Sequence, residues 1–181
     1  MLEGRRTVME VGCGDGIGLP VIAQSVQQLY ATDWDQDIID DAQQRLAFLE
    51  NCCFQRYDAT QQPFREAGPL DAIYLLDVLE HLDPSLEREF LTNVTDSLSD
   101  DGVCIIGTPN IEAARFSTPQ SQAGHINLKS HESLRALAER HFKQVFLFCM
   151  NDEVLHTGFY PMAHYFLALA VNRRSRVTRP S

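Results

Sequence analysis

The sequence predicts an α/β protein of three layers, a doubly wound sheet of seven strands, mostly parallel with an antiparallel last strand, covered by helices on both faces. Three observations carry this expectation. Short, almost continuous apolar runs alternate with segments whose apolar residues recur at helical spacing, the pattern of strands buried on both sides. The first run leads straight into a cluster of glycines. The last two runs have no helix-length amphipathic segment between them, so they pair antiparallel. A chain of 181 residues with 44% hydrophobic content can bury one core without staples. A single domain over residues 1–172 is expected, followed by a basic tail.

Thr7 to Val11 is the first strand, and helical spacing follows from Leu19 to Gln28. Leu29 to Thr32 forms the second strand, closed by Asp33. Asp37 to Leu49 reads as a helix through Ile38, Ile39, Ala42, Leu46 and Leu49. Cys52 to Tyr57 is a short third strand before Asp58, Gln61 to Pro69 a polar loop, and Asp71 to Leu76 the fourth strand. Pro84 suits the start of a helix reaching about Ser97, and Asp100-Asp101-Gly102 turns the chain into a fifth strand, Val103 to Gly107. Thr108 to Lys129 is long and irregular, as functional loops in compact domains are. Ser130 caps a helix from His131 to His141, and Gln144 to Met150 and His164 to Val171 are the last two strands.

Composition excludes several classes. The five cysteines are an odd set, mostly in or beside apolar runs, and read as reduced thiols of a cytoplasmic protein. Cys52 and Cys53 are adjacent and no pair has zinc-site spacing, so no metal is expected. No apolar stretch approaches the roughly 20 residues of a membrane-spanning helix. A net charge of -10 works against nucleic acid, whose binding depends on neutralising phosphates. The basic cluster Arg173, Arg174, Arg176 and Arg179 reads as a solvated, disordered tail over 173–181.

The glycine turn Glu10-Val11-Gly12-Cys13-Gly14-Asp15-Gly16 carries the first chemistry. Glycines let the backbone bend sharply and approach a ligand, and the helix that follows presents free amides to it. A dinucleotide turn needs G-x-G-x-x-G, yet the third position is Ile17 counted from Gly12 and Leu19 counted from Gly14. A nicotinamide-dependent oxidoreductase is therefore a weak alternative. Asp33 ends the second strand at the carboxyl edge of the sheet, where open α/β sheets bind ligands, and its carboxylate can accept from both hydroxyls of a ribose. Trp34 can stack on an aromatic base or pack in the core. Asp58 stands at the end of the third strand, as a ligand acid or a turn cap. His81, beyond the fourth strand, can serve as a base or as a structural cap.

Together with Ala59 after Asp58 and the run Leu76-Asp77-Val78-Leu79-Glu80-His81-Leu82, these residues resemble the class I S-adenosylmethionine (SAM) dependent methyltransferases. The Asp-Val-Leu-Glu-His run is similar to the branch containing the ubiquinone-biosynthesis O-methyltransferases. The resemblance covers about Thr7 to Val171 and implies a Rossmann-like fold, SAM as cofactor and S-adenosylhomocysteine (SAH) as product. It places Gly12, Cys13 and Gly14 at the amino-acid part of SAM, with Glu10 orienting that end. Asp33 falls at the ribose, Trp34, Asp58 and Ala59 at adenine, and the Leu76 carbonyl at the methionine part. His81 and His125 are the candidate bases, and Asn110, Phe116, Asn127, His156 and Tyr160 the candidate substrate pocket under a lid. The expected reaction is methyl transfer to a small-molecule, sugar-linked or biosynthetic-intermediate acceptor, by a monomer or homodimer. Family members usually carry N-terminal helices over the cofactor, absent from this sequence. The expectation is a fragment, a cap supplied by another chain, or an open site, and a non-catalytic SAM-binding module is the alternative.

Overall fold

A computed structural model describes residues 1–174 of the chain. Seven strands, β1 (Thr7–Val11), β2 (Gln28–Asp33), β3 (Cys52–Arg56), β4 (Leu70–Leu76), β5 (Leu98–Pro109), β6 (Phe142–Met150) and β7 (Tyr165–Arg173), form one sheet in the order β3-β2-β1-β4-β5-β7-β6. β1 pairs in parallel with both β2 and β4, while β7 runs antiparallel between β5 and β6. This is the predicted doubly wound α/β sheet with its antiparallel last strand.

Alternation along the strands divides the core. Met9, Val11, Ile73 and Leu75 pack with Phe90, Leu91 and Val94 of α3 (Glu87–Ser97) and with Leu134 and Leu137 of α5 (His131–Glu139). Val8, Ala72 and Tyr74 face the other way, toward Leu19 of α1 (Leu19–Ala23) and Ile39 of α2 (Gln36–Arg45). Hence there are three layers.

Several element ends differ from the sequence expectation, each for a local reason. α1 stops at Ala23 because the Asn51 side-chain amide donates to the carbonyls of Ala23 (2.9 Å) and Val26 (3.1 Å), which satisfies the helix end. Asp83 accepts from the Ser85 amide at 2.8 Å, a turn that keeps Pro84 outside α3. Asp100-Asp101-Gly102 is a bulge rather than a turn into β5, since Leu70 pairs with Leu98 and Ala72 already with Val103. Within the irregular segment lie a 3₁₀ turn, Ile111–Phe116, and a short helix, α4 (Pro119–Gly124). Ser130 caps α5 with a reciprocal capping box, as its position suggested.

The expected tail begins too early. Arg173 is the last residue of β7 and pairs with Asp100 at 2.6 Å, and the Arg174 Nε donates to the carbonyls of Glu139 and Phe142. Strand pairing and these carbonyls hold both arginines on the fold, and the rest of that expectation lies outside the described residues. All five cysteines are free. Among the described residues no helix is long and apolar enough to cross a membrane.

Helix α3 also fixes the loop after β3. The Ser97 hydroxyl accepts from the Phe64 amide at 2.8 Å and donates to the Asn93 carbonyl at 2.7 Å, all out of water. Ser97→Ala leaves the Phe64 amide buried without an acceptor and is expected to cost about 1–3 kcal/mol in urea unfolding. A loss under about 0.5 kcal/mol would mean that this bond does not fix the loop.

Candidate functional site

The order of the sheet reverses between β1 and β4, and an open α/β sheet leaves a crevice at the carboxyl ends of the strands on either side of such a reversal. A cavity of about 610 Å³ lies here, floored by Val11, Gly12 and Gly14 and walled by Asp33, Ala59 and Val78. The glycine turn is tied to β2 by the Gly12 and Cys13 amides, which donate to the Thr32 carbonyl at 2.8 and 2.9 Å. At Gly12, with φ +77°, a Cβ would meet Val78 Cγ2 at 2.6 Å, so only glycine holds the turn against the cavity wall.

Asp33 is buried and aimed. Its Oδ2 accepts from the Gly14 amide at 3.2 Å and its Oδ1 from the Asp35 amide at 3.1 Å. Two backbone donors hold the carboxylate at the cavity wall with acceptor capacity to spare. Trp34 is 68% exposed and lines the cavity, so it is not a core residue. Asp58 also lines it and meanwhile caps its own turn, its Oδ1 accepting from the amide (2.9 Å) and hydroxyl (2.6 Å) of Thr60. Ala59 follows, its carbonyl held by the Asn93 side chain at 2.9 Å.

Three expected cofactor residues, Glu10, Cys13 and Leu76, do not line the cavity. The Glu10 carboxylate is buried and receives the Tyr74 hydroxyl at 2.8 Å. Burial pushes it up to about 7, opposed by that hydrogen bond and reinforced by the charges of Asp15 and Asp33. Cys13 is buried with its thiol pushed up to about 12, chiefly by burial. Leu76 ends β4 with its side chain half exposed.

His81 lines the cavity and His125 meets it edge to face, with ring centroids 5.0 Å apart. The irregular segment therefore folds back to the cavity mouth. The His81 Nδ1 donates to the Gly124 carbonyl at 3.1 Å. Burial and the neighbouring His81 hold His125 below the ordinary imidazole range, with Asp77 opposing. Asp77 lines the cavity in the left-handed region at φ 55°, a strained backbone for a non-glycine. Glu80 is fully buried, its Oε2 accepting from the Thr108 hydroxyl at 3.0 Å, and burial pushes it up to about 7.

The residues expected to form a substrate pocket are spread out, and none lines the cavity. Asn110 spends its side chain on the Glu112 amide and the carbonyls of Tyr160 and Ala163. Asn127 bridges the buried ion pair of Lys129 and Glu87. Phe116 stacks on His164 with Arg115 over its ring, Tyr160 stacks on His131, and His156 bridges to Cys149 by backbone. Sequence reasoning gave no role to Asp77, Val78, Leu82, Leu86 and Phe90, all of which line the cavity. Asp77 and Glu80 stand just before His81 in the sequence and could have been found as acids preceding a histidine. A second cavity of about 510 Å³, between Gln55 and Glu66, shares only Asp58 with the expected site.

A nucleotide-sized crevice with a glycine floor and a fixed carboxylate defines a cofactor-binding α/β enzyme fold. The sequence profile of the methyltransferase domain family matches residues 9–104, and the chain belongs to that family, within the class I SAM-dependent methyltransferases. A probable SAM-dependent methyltransferase of Mycobacterium tuberculosis is 28% identical over 105 residues, which are 58% of this chain and 36% of the relative. Carboxy-SAM synthase of Helicobacter pylori is 28% identical over 109 residues, 59% of this chain and 44% of its own. The match thus spans less than half of the length of these curated relatives. Among solved structures, the methyltransferase domain of bacterial CtHen1 superposes with a TM-score of 0.74 at 16% identity, over 92% of this chain and 89% of that one. The N-methyltransferase NodS of Bradyrhizobium japonicum, in complex with SAH, gives 0.69 at 21% identity over 93% and 78%.

Glu10 makes the site's electrostatic cost measurable. The folded protein holds this proton more tightly than the unfolded chain, whose carboxyl titrates near 4.5. Its contribution is therefore full below about pH 4.5 and is lost as pH rises through about 7. Glu10→Gln keeps an acceptor for Tyr74 and removes the titration. Its stability relative to the parent should grow by about 1–3 kcal/mol between pH 4.5 and pH 8 in urea unfolding. A difference that does not change with pH would contradict the assignment.

Proposed function

We propose that this domain binds SAM in the cavity at the strand reversal. There it transfers the methyl group to a hydroxyl oxygen of a small-molecule, sugar-linked or biosynthetic-intermediate acceptor, releasing SAH. The carrying observation is the Asp33 carboxylate, fixed by the Gly14 and Asp35 amides at the wall of a cavity floored by the glycine turn. It offers the ribose hydroxyls a charged acceptor that needs no reorganisation. Trp34, Asp58 and Ala59 supply the adenine end, and the glycine turn the amino-acid end. The names of the Mycobacterium relatives and the SAH held by the NodS structure support the same cofactor.

A sulfonium carries its own leaving group. The acceptor oxygen forms its bond to the methyl carbon as the carbon–sulfur bond breaks, so holding the two in line in a dry site does most of the work. A hydroxyl acceptor must also lose its proton. Of the candidate bases, His81 lines the cavity and His125 stands against it, which favours oxygen over an amine or carbon acceptor. The acidic net charge and the absence of a spanning helix among the described residues fit a cytoplasmic enzyme acting on small molecules, as monomer or homodimer.

Incubating the protein with methyl-labelled SAM and a panel of hydroxylated metabolites, read by mass spectrometry, is expected to give SAH together with a labelled methyl ether. Asp33→Ala should weaken SAH binding by calorimetry about 10- to 100-fold, the loss of one or two hydrogen bonds to a charged group. SAH binding without any methylated product would favour the non-catalytic module. No binding at all would sink the proposal.

A further inference from the structure

The methyl-transfer reading leaves one feature unused: Glu80 is fully buried, and its Oε1 has no hydrogen-bond partner among the described residues. A buried carboxylate oxygen without a donor is costly, and native proteins seldom keep one unless something absent from the protein itself completes it. Among the described residues no Lys or Arg forms an ion pair with Glu80. Asp77 is close enough to share a proton with it, and a ring nitrogen of each of His81 and His125 lies within 4.8 Å.

We infer that Glu80, His81 and His125 form a site for a first-row divalent cation at the mouth of the cofactor cavity, with Asp77 supplying further negative charge. One carboxylate oxygen of Glu80 and one ring nitrogen of each histidine lie within 4.8 Å of one another. A cation at about 2.0–2.2 Å from each ligand draws such atoms to roughly 3–3.5 Å, a closure within reach of small side-chain rotations. A carbonyl can only accept, so the Nδ1 proton faces Gly124 and Nε2 keeps its lone pair for a ligand. The Thr108 hydroxyl holds Glu80 through Oε2. Two carboxylates with two neutral imidazoles match a dication in charge. The mixed nitrogen and oxygen set favours manganese, iron, cobalt or zinc over calcium or magnesium.

The cation site stands on this geometry alone, and its catalytic use rests on the methyl-transfer reading. A hydroxyl of the acceptor bound to the cation is acidified and loses its proton to water, and its oxygen then forms the bond to the methyl carbon as the carbon–sulfur bond breaks. The histidines then serve as ligands rather than as the base. Acceptors able to bind through adjacent hydroxyls are the expected class.

Titrating the purified protein with cobalt(II), followed by visible absorption and by calorimetry, tests the site without any turnover. One equivalent is expected to bind with a ligand-field spectrum. His125→Ala and Glu80→Gln should each weaken binding at least tenfold, while His125→Ala binds SAH within twofold of the parent. If Glu80→Gln fails to fold, His125→Ala decides, because that side chain is only half-buried at the surface. Absence of saturable binding at millimolar cobalt, or equal binding by both variants, overturns the site. SAH binding by a protein blind to cobalt sinks the cation site and spares the methyl-transfer reading; cobalt binding without SAH binding does the reverse.

Discussion

The reversal of strand order between β1 and β4 is the constraint on which the rest of this protein depends. The chain leaves β1 toward β2 on one side and returns to place β4 on the other, so no connection covers the carboxyl ends of the pair. Whatever sits there must satisfy polar backbone groups left by the glycine turn. Asp33 does part of this, binding the Gly14 amide from the neighbouring strand. One hydrogen bond therefore joins the turn to the Asp33 carboxylate, and a change at either partner disturbs both.

The electrostatics of the edge follow from the same crowding. Glu10, Asp33, Asp58, Asp77 and Glu80 gather around one crevice in a chain already at -10. Burial and mutual repulsion hold Glu10 and Glu80 near 7, a cost that a stable fold sets against the core on either side of the sheet. The acidic crevice complements a cationic cofactor, since SAM carries a sulfonium and an ammonium. The left-handed backbone of Asp77 and the buried carboxylate of Glu80 lie together in this acidic cluster.

The fold was legible because parallel strands buried on both faces read as unbroken apolar runs, and the glycine turn and Asp33 could be placed from strand ends alone. Element ends were less so, because they are set by distant side chains: Asn51 stops α1, and strand pairing turns the Asp100-Asp101-Gly102 signal into a bulge. The substrate side was hardest. Asn110 and Asn127 are polar loop residues of the type that line pockets, but each is occupied by local carbonyls, amides or an ion pair. Composition does not reveal which way such a side chain turns. His125 joins His81 only through the fold of the irregular segment, so no spacing rule could pair them or suggest a metal.

A crystal structure of the protein grown with SAH tests the central claim most directly. The account predicts the ribose hydroxyls within hydrogen-bond distance of the Asp33 carboxylate and the adenine between Trp34 and Ala59. Ligand density in the cavity between Gln55 and Glu66, or at the strand reversal with the ribose turned away from Asp33, would contradict it.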